Sequence, residues 1–187
     1  MKYFGVLLVL MTSLVFAQTT GEVFPEMGGV TLDDEEITVP IDTKGKYTFL
    51  ALAFSKEAEH DLNTWAEPLY YHFMPESKGK NLFASFYDVN LFFVPMFSGA
   101  AQVVEKNARK KAIEHLDEKL HSKVLFYKGG MKEMKEYKKV LDMSNKKVPY
   151  FFLLDENGKI VQATSGAYTQ QKMIPFDNIL DEAGVDQ

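Results

Sequence analysis

The chain contains no cysteine among its 187 residues. That absence excludes disulfide exchange, thiol peroxidase turnover and thiolate-held metals, because each needs a sulfur as nucleophile or ligand. It does not preclude a stable core, since a domain of this length does not depend on disulfide staples. Basic charge is in deficit as well: 21 Lys and Arg face 26 Asp and Glu, a formal net charge of −5. A nucleic-acid surface draws on a basic patch or stripe, so no nucleic-acid partner is expected. Gly-x-Ser-x-Gly, a phosphate-cradling glycine-rich loop and His-Glu-x-x-His are all missing, which removes the corresponding hydrolase, nucleotide and zinc-peptidase readings. Gly28-Gly29 and Gly129-Gly130 are isolated pairs that mark turns.

What is present begins with a targeting pattern. Lys2 supplies a positive start, Tyr3 to Met11 an apolar run, and Val15-Phe16-Ala17 a small-residue cleavage pattern before Gln18. The apolar run is broken by Thr12-Ser13 and is shorter than the roughly 20 residues that span a bilayer. Residues 1–17 are therefore read as a cleaved secretory signal and 18–187 as one exported domain, periplasmic or secreted and soluble once mature. No cysteine follows the apolar run, so a lipoprotein anchor is excluded. A retained signal anchoring a subunit of an envelope complex is the rival reading. With 46% hydrophobic residues and no internal repeat or linker, a single globular domain with a substantial core is expected.

Apolar spacing then gives the order of elements. Tyr47 to Phe54 is a continuous apolar run, the pattern of a strand buried on both faces. "KEAEHDLNTWAEPLYYHF" switches to helical spacing, with Leu62, Trp65, Leu69 and Phe73 on one stripe. Residues 81–89 predict a second strand, 101–120 a helix with a solvated charged face, "KVLFYKGG" a short strand and "MKEMKEYKKVLDM" another helix. Strands at 149–154 and 159–164 flank a turn at Asp155-Glu156-Asn157-Gly158, and a helix over 169–183 ends before Gly184. Parallel βα units followed by an antiparallel hairpin imply an α/β fold with a mixed sheet and helices on both faces.

That order, with the residues at its joints, resembles the thioredoxin-like superfamily. The likeness is to the redoxin and thiol-disulfide oxidoreductase branch, which carries a helix-strand insertion in a three-layer sandwich. "FPEMGGVTLDDEEITVPIDTKGKYTFLALAF" is similar to the branch's N-terminal pattern of a proline, a short hairpin and Gly-Lys before the first central strand. "VPYFFLLDENGKIVQATSGAY" is similar to its C-terminal pattern, which implies a cis bond at Val148-Pro149. The resemblance also implies a Cys-x-x-Cys opening the first long helix, five residues ahead of a kinking proline. Counting back from Pro68 puts His60 and Asn63 at the two cysteine positions, so the motif is replaced. A weaker likeness is to the mitochondrial ATP synthase assembly factors, carried by "FSKEAEHDLNTWAEPL" with its Trp and Pro on the helix after the strand.

The function expected from this is binding without catalysis, by an exported, redox-inactive folding or assembly factor that needs no cofactor. Its partner is a protein or an extended peptide, a membrane-associated one included. The candidate peptide-binding residues are Val148, Pro149, His60, Asn63 and Trp65: main-chain groups beside a cis-proline accept an extended segment, although such a proline also serves geometry alone. The opposing reading is a non-thiol enzyme or metal-binding protein using His60 with Glu57, Glu59 and Asp61. Those acids have a plainer role at a helix N-terminus, where Ser55 is a cap and carboxylates complement the dipole. His72, His115 and His121 show no partner at a ligand-like spacing and are expected at the surface. "LFFVPMFSG", residues 91–99, reads either as buried through Leu91, Phe93 and Phe97 or as an exposed patch for a client chain.

Overall fold

The structure, a computed structural model, describes residues 19–74, 87–96 and 102–185, with residues 102–106 described by their backbone alone. The signal expected at 1–17, most of the strand expected at 81–89, and Phe97 lie outside the described residues. In chain order the elements begin with β1 (Met27–Thr31), β2 (Glu36–Val39), β3 (Thr48–Ala53), α1 (Lys56–Phe73) and β4 (Asn90–Pro95). They continue with α2 (Gln102–His115), a 3-10 turn (Glu118–Lys123), β5 (Leu125–Tyr127), α3 (Met131–Val140), β6 (Tyr150–Leu154), β7 (Ile160–Ser165) and α4 (Gln170–Glu182).

Four strands form a mixed sheet in the order β4-β3-β6-β7, with β3 parallel to β4 and β6 antiparallel to both of its neighbours. A smaller antiparallel sheet has the order β2-β1-β5. One parallel bridge, Phe93 to Val124, ties the two together. The leader hairpin is thus β1–β2, and the inserted helix-strand pair is α2 with β5.

The continuous apolar runs of β3 and β6 follow from their position in the middle of the sheet. Alternate side chains point to opposite faces, and both faces are covered. Phe49, Ala51, Phe151 and Leu153 pack with Trp65, Leu69 and Phe73 of α1 and with Met173, Phe176 and Leu180 of α4. Leu50, Leu52, Phe152 and Leu154 pack on the other side with Met27 and Val39 of the hairpin, Leu125 and Tyr127 of β5, and Met134 of α3. The result is a three-layer α/β sandwich in which a small sheet shares the second face with a helix.

The second central strand departs from the sequence expectation. It is β4 at 90–95, where Leu91, Phe92 and Val94 are buried, as is Met96 just after it. The apolar stretch starting at Leu91 is therefore strand and core, with Phe93 half-buried against the α1 and α4 side. Backbone pairing of each β4 residue with β3 from Thr48↔Asn90 to Ala53↔Pro95 fixes this register.

Two turn features position the rest. The cis bond is at Val39-Pro40 among the described residues, so the cis geometry expected at Val148-Pro149 is overturned. Gly158, in the β6–β7 turn, lies directly against Pro40: an added Cβ would sit 2.4 Å from the proline Cβ. None of the helices among the described residues is long and apolar enough to cross a membrane.

Candidate functional site

The strand register brings three chain segments to one end of the four-stranded sheet. Leu52 pairs with Tyr150, Tyr150 with Ser165, and Ala53 with Pro95. The chain therefore leaves β3 for α1, enters β6 from the loop at 146–149 and leaves β7 toward Gly166 at the same edge. Parallel α/β sheets place functional loops at such carboxyl ends.

α1 opens there because Ser55 is extended (φ −154°, ψ 165°) and its Oγ accepts from the Ala58 amide at 3.3 Å, an N-cap. The same hydroxyl donates to the Lys146 carbonyl at 2.9 Å, which fastens the loop before β6 to the start of the helix. Glu57 in the first turn has its carboxyl lowered below the usual range, chiefly by the Ser55 hydrogen bond, then by its own amide and more weakly by Lys147. The loop is braced from within as well: the Asn145 amide donates to the Tyr150 phenol oxygen at 2.8 Å, and the Lys147 amide to Asn145 Oδ1 at 3.0 Å. The Gly166 amide donates to the Pro149 carbonyl at 2.9 Å, which closes the third side.

A lysine from α3 completes this end. Lys138 Nζ lies 4.4 Å from the centroid of the Phe54 ring, and that ring meets Tyr150 edge-on at 6.3 Å. Burial and the neighbouring Lys146 push the Lys138 ammonium down to about 8. Burial likewise raises the Tyr150 phenol.

Only part of the expected peptide-binding set is brought together. Pro149 is buried and Val148 half-buried against the hairpin side of the core, so neither is a rim residue. Trp65 is fully buried; it stacks on Phe151 at 4.1 Å and its Nε1 donates to the Gly166 carbonyl at 2.9 Å, so it offers no surface to a ligand. His60 and Asn63 are exposed. They lie in the second and third turns of α1, whereas the opening positions are Ser55 to Ala58. The residues at the opening itself are Ser55, which caps the helix, and the buried Ala58 three residues on.

The acids around His60 serve other partners. Glu57 is held in the first turn by Ser55 and its own amide, while Asp61 Oδ2 faces Gly166 on the side of Lys172, whose Nζ donates to the Ser165 and Ala167 carbonyls at 2.8 and 2.6 Å. Among the described residues no group of three His, Asp or Glu is arranged to hold a metal. His72 and His121 are not surface residues: His72 Nδ1 lies 3.2 Å from Asp177, and His121, 12% exposed, lies 3.8 Å from Asp33. Both carboxylates come from distant segments, which local spacing does not reveal. The residues that sequence reading missed are Phe54, Lys138 and Lys146; two lysines and an aromatic spread over 92 positions carry no local pattern.

The fold and this edge define a thioredoxin-like protein, in a chain that carries no cysteine. The model of the family described as ATP10 protein matches residues 8–177, and the chain belongs to that family, the ATP synthase assembly group of the weaker sequence likeness. The C-terminal domain of a protein named as a thiol-disulfide oxidoreductase from Bacteroides thetaiotaomicron is similar in fold, with a TM-score of 0.56 at 18% identity over 89% of this chain and 99% of that one. Yeast Sco1 with copper bound is similar with a TM-score of 0.51 at 17% identity over 89% and 93%. No curated protein matches the chain.

Proposed function

We propose that this protein acts by binding another polypeptide, as an exported and redox-inactive assembly factor for a membrane or exported complex, and that the client is received where the opening of α1 meets the 146–149 loop. The observation that carries the reading is the absence of any cysteine from a thioredoxin-like fold: a serine caps the helix and a buried alanine follows three residues on, at an opening where disulfide exchange would need sulfur. Membership of the ATP10 protein family supports an assembly role, with ATP synthase as the complex that the family's name points to. The signal-like residues 1–17 support export.

The remaining architecture suits recognition. A loop fastened at Ser55, Tyr150 and Gly166 is preorganised, which lowers the ordering cost of receiving an extended chain. His60 and Asn63 are exposed on the same helix, in the turns that follow its opening.

The test uses protein of residues 18–187 as bait on solubilised membranes, with ATP synthase subunits followed by immunoblot. Wild type is expected to retain a subunit that the doubly exposed variant His60→Glu with Asn63→Glu retains several-fold less, and to show no insulin reduction. Equal retention by both proteins would overturn the placement. Insulin turnover that persists in material freed of other oxidoreductases would overturn the redox-inactive reading.

A further inference from the structure

We propose that Lys138 of α3 and Lys146 of the loop before β6 form a binding site for a carboxylate side chain carried on an extended segment of the client polypeptide. This deepens the reading above and rests on it for the nature of the ligand; the lysine pair itself rests on the geometry of this chain.

Two lysines are brought to the same edge here by segments that have other reasons for their positions. Lys138 is fixed over the Phe54 ring at 4.4 Å, and the Lys146 backbone is tied to Ser55 at 2.9 Å. Phe54 and Ser55 are adjacent in the chain, so the two contacts bring Lys138 and the loop of Lys146 to one place, and Lys146 depresses the basicity of Lys138 after the larger effect of burial. Neighbouring like charges repel, and the repulsion grows as water is displaced. Such a pair is stabilised by an anion between its members.

The chain itself does not supply one among the described residues. Neither lysine has a carboxylate oxygen within 4.0 Å. Glu57 is held by Ser55 and its own amide, and Asp142 lies on the side of the Tyr150 phenol. Lys147, exposed on the same loop, adds a third positive charge. A protein of net charge −5 therefore presents a local basic spot at this edge, and local charge of this kind steers an acidic partner. The half-buried Phe54 ring beside it gives an apolar shelf for the side chain next to the carboxylate.

The probe is the pentapeptide acetyl-Ser-Val-Asp-Val-Ser-amide against its Asn counterpart, titrated into 18–187 with lysine Cε signals followed by NMR. The Asp peptide is expected to bind, to raise the Lys138 titration midpoint, and to weaken with added salt. Lys146→Met, at an exposed position, is expected to lose about tenfold in affinity, and Lys138→Met likewise, with Lys138→Arg restoring binding. Equal binding of the Asp and Asn peptides would overturn the carboxylate site while leaving client binding at this edge intact. Binding of neither would overturn it too, and the bait experiment then judges client binding separately.

Discussion

The indole N–H of Trp65 donates to the Gly166 carbonyl at 2.9 Å, joining residues 101 apart in sequence. The ring that makes this bond is also the centre of an aromatic cluster, stacked on Phe151 at 4.1 Å and edge-on to Tyr168 at 5.1 Å. One side chain thus holds α1 to the sheet and fixes the loop after β7, whose Gly166 amide braces Pro149 in turn. The functional edge inherits its rigidity from a core residue.

Trp65→Phe removes the donor, strands a buried carbonyl and leaves a void where the second ring stood. A loss of about 2–4 kcal/mol is expected, read as a lower urea midpoint at unchanged slope. A change under about 0.5 kcal/mol, the range of surface substitutions, would show that the indole bond is dispensable.

Gly158 and Gly45 make a matched pair. Both have left-handed backbone, φ +82° and +84°, but an added Cβ meets Pro40 at 2.4 Å in the first case and nothing within 4 Å in the second. Gly45→Ala is expected to cost about 1–2 kcal/mol from backbone strain alone. Gly158→Ala adds overpacking of about 1–3 kcal/mol, so its thermal midpoint falls further. Equal losses would mean that the β6–β7 turn does not bear on Pro40.

Much of this fold was legible because burial on both faces leaves no choice of register. The apolar runs of β3 and β6, and the stripe Trp65, Leu69 and Phe73, each match one geometry. The second central strand was not legible in the same way. "NLFASFYDV" and "NLFFVP" are adjacent apolar runs of similar character, and pairing with β3 selects the latter. Val39-Pro40 and Val148-Pro149 are the same dipeptide, so which one is cis depends on its surroundings. The lysine and aromatic cluster needs Phe54, Lys138 and Lys146 to be folded together before it exists at all.

The motif register has a direct chemical test. Residues three apart within a helix hold their Cβ atoms about 5–6 Å apart, beyond the roughly 3.5–4.5 Å that a disulfide needs. Ser55 escapes this limit because its backbone is extended at the cap. Ser55→Cys with Ala58→Cys is therefore expected to oxidise to an intramolecular disulfide and to gain measurable insulin reduction, whereas His60→Cys with Asn63→Cys remains a dithiol under the same conditions. Mass measurement after alkylation distinguishes them, and the reverse outcome would favour His60 and Asn63 as the thiol positions.

Lys138 gives the pH dependence. Its ammonium is pushed down from 10.5 to about 8, first by burial and then by Lys146. Folded protein releases this proton near pH 8 while the unfolded chain holds it until about pH 10.5, so between those values the unfolded state binds more protons and stability rises with pH. The raised phenols of Tyr127, Tyr137 and Tyr150 act in the opposite sense, but only as their unfolded counterparts ionise near pH 10. Urea midpoints of wild type and Lys138→Met, compared at about pH 7 and about pH 9, cancel most titrations common to both. Wild type is expected to gain on the variant at the higher pH, and a constant difference would show that the Lys138 ammonium is no less favoured in the folded protein than in the unfolded chain. Adding the acidic pentapeptide should shift that gain to higher pH, because a bound carboxylate favours the charged amine.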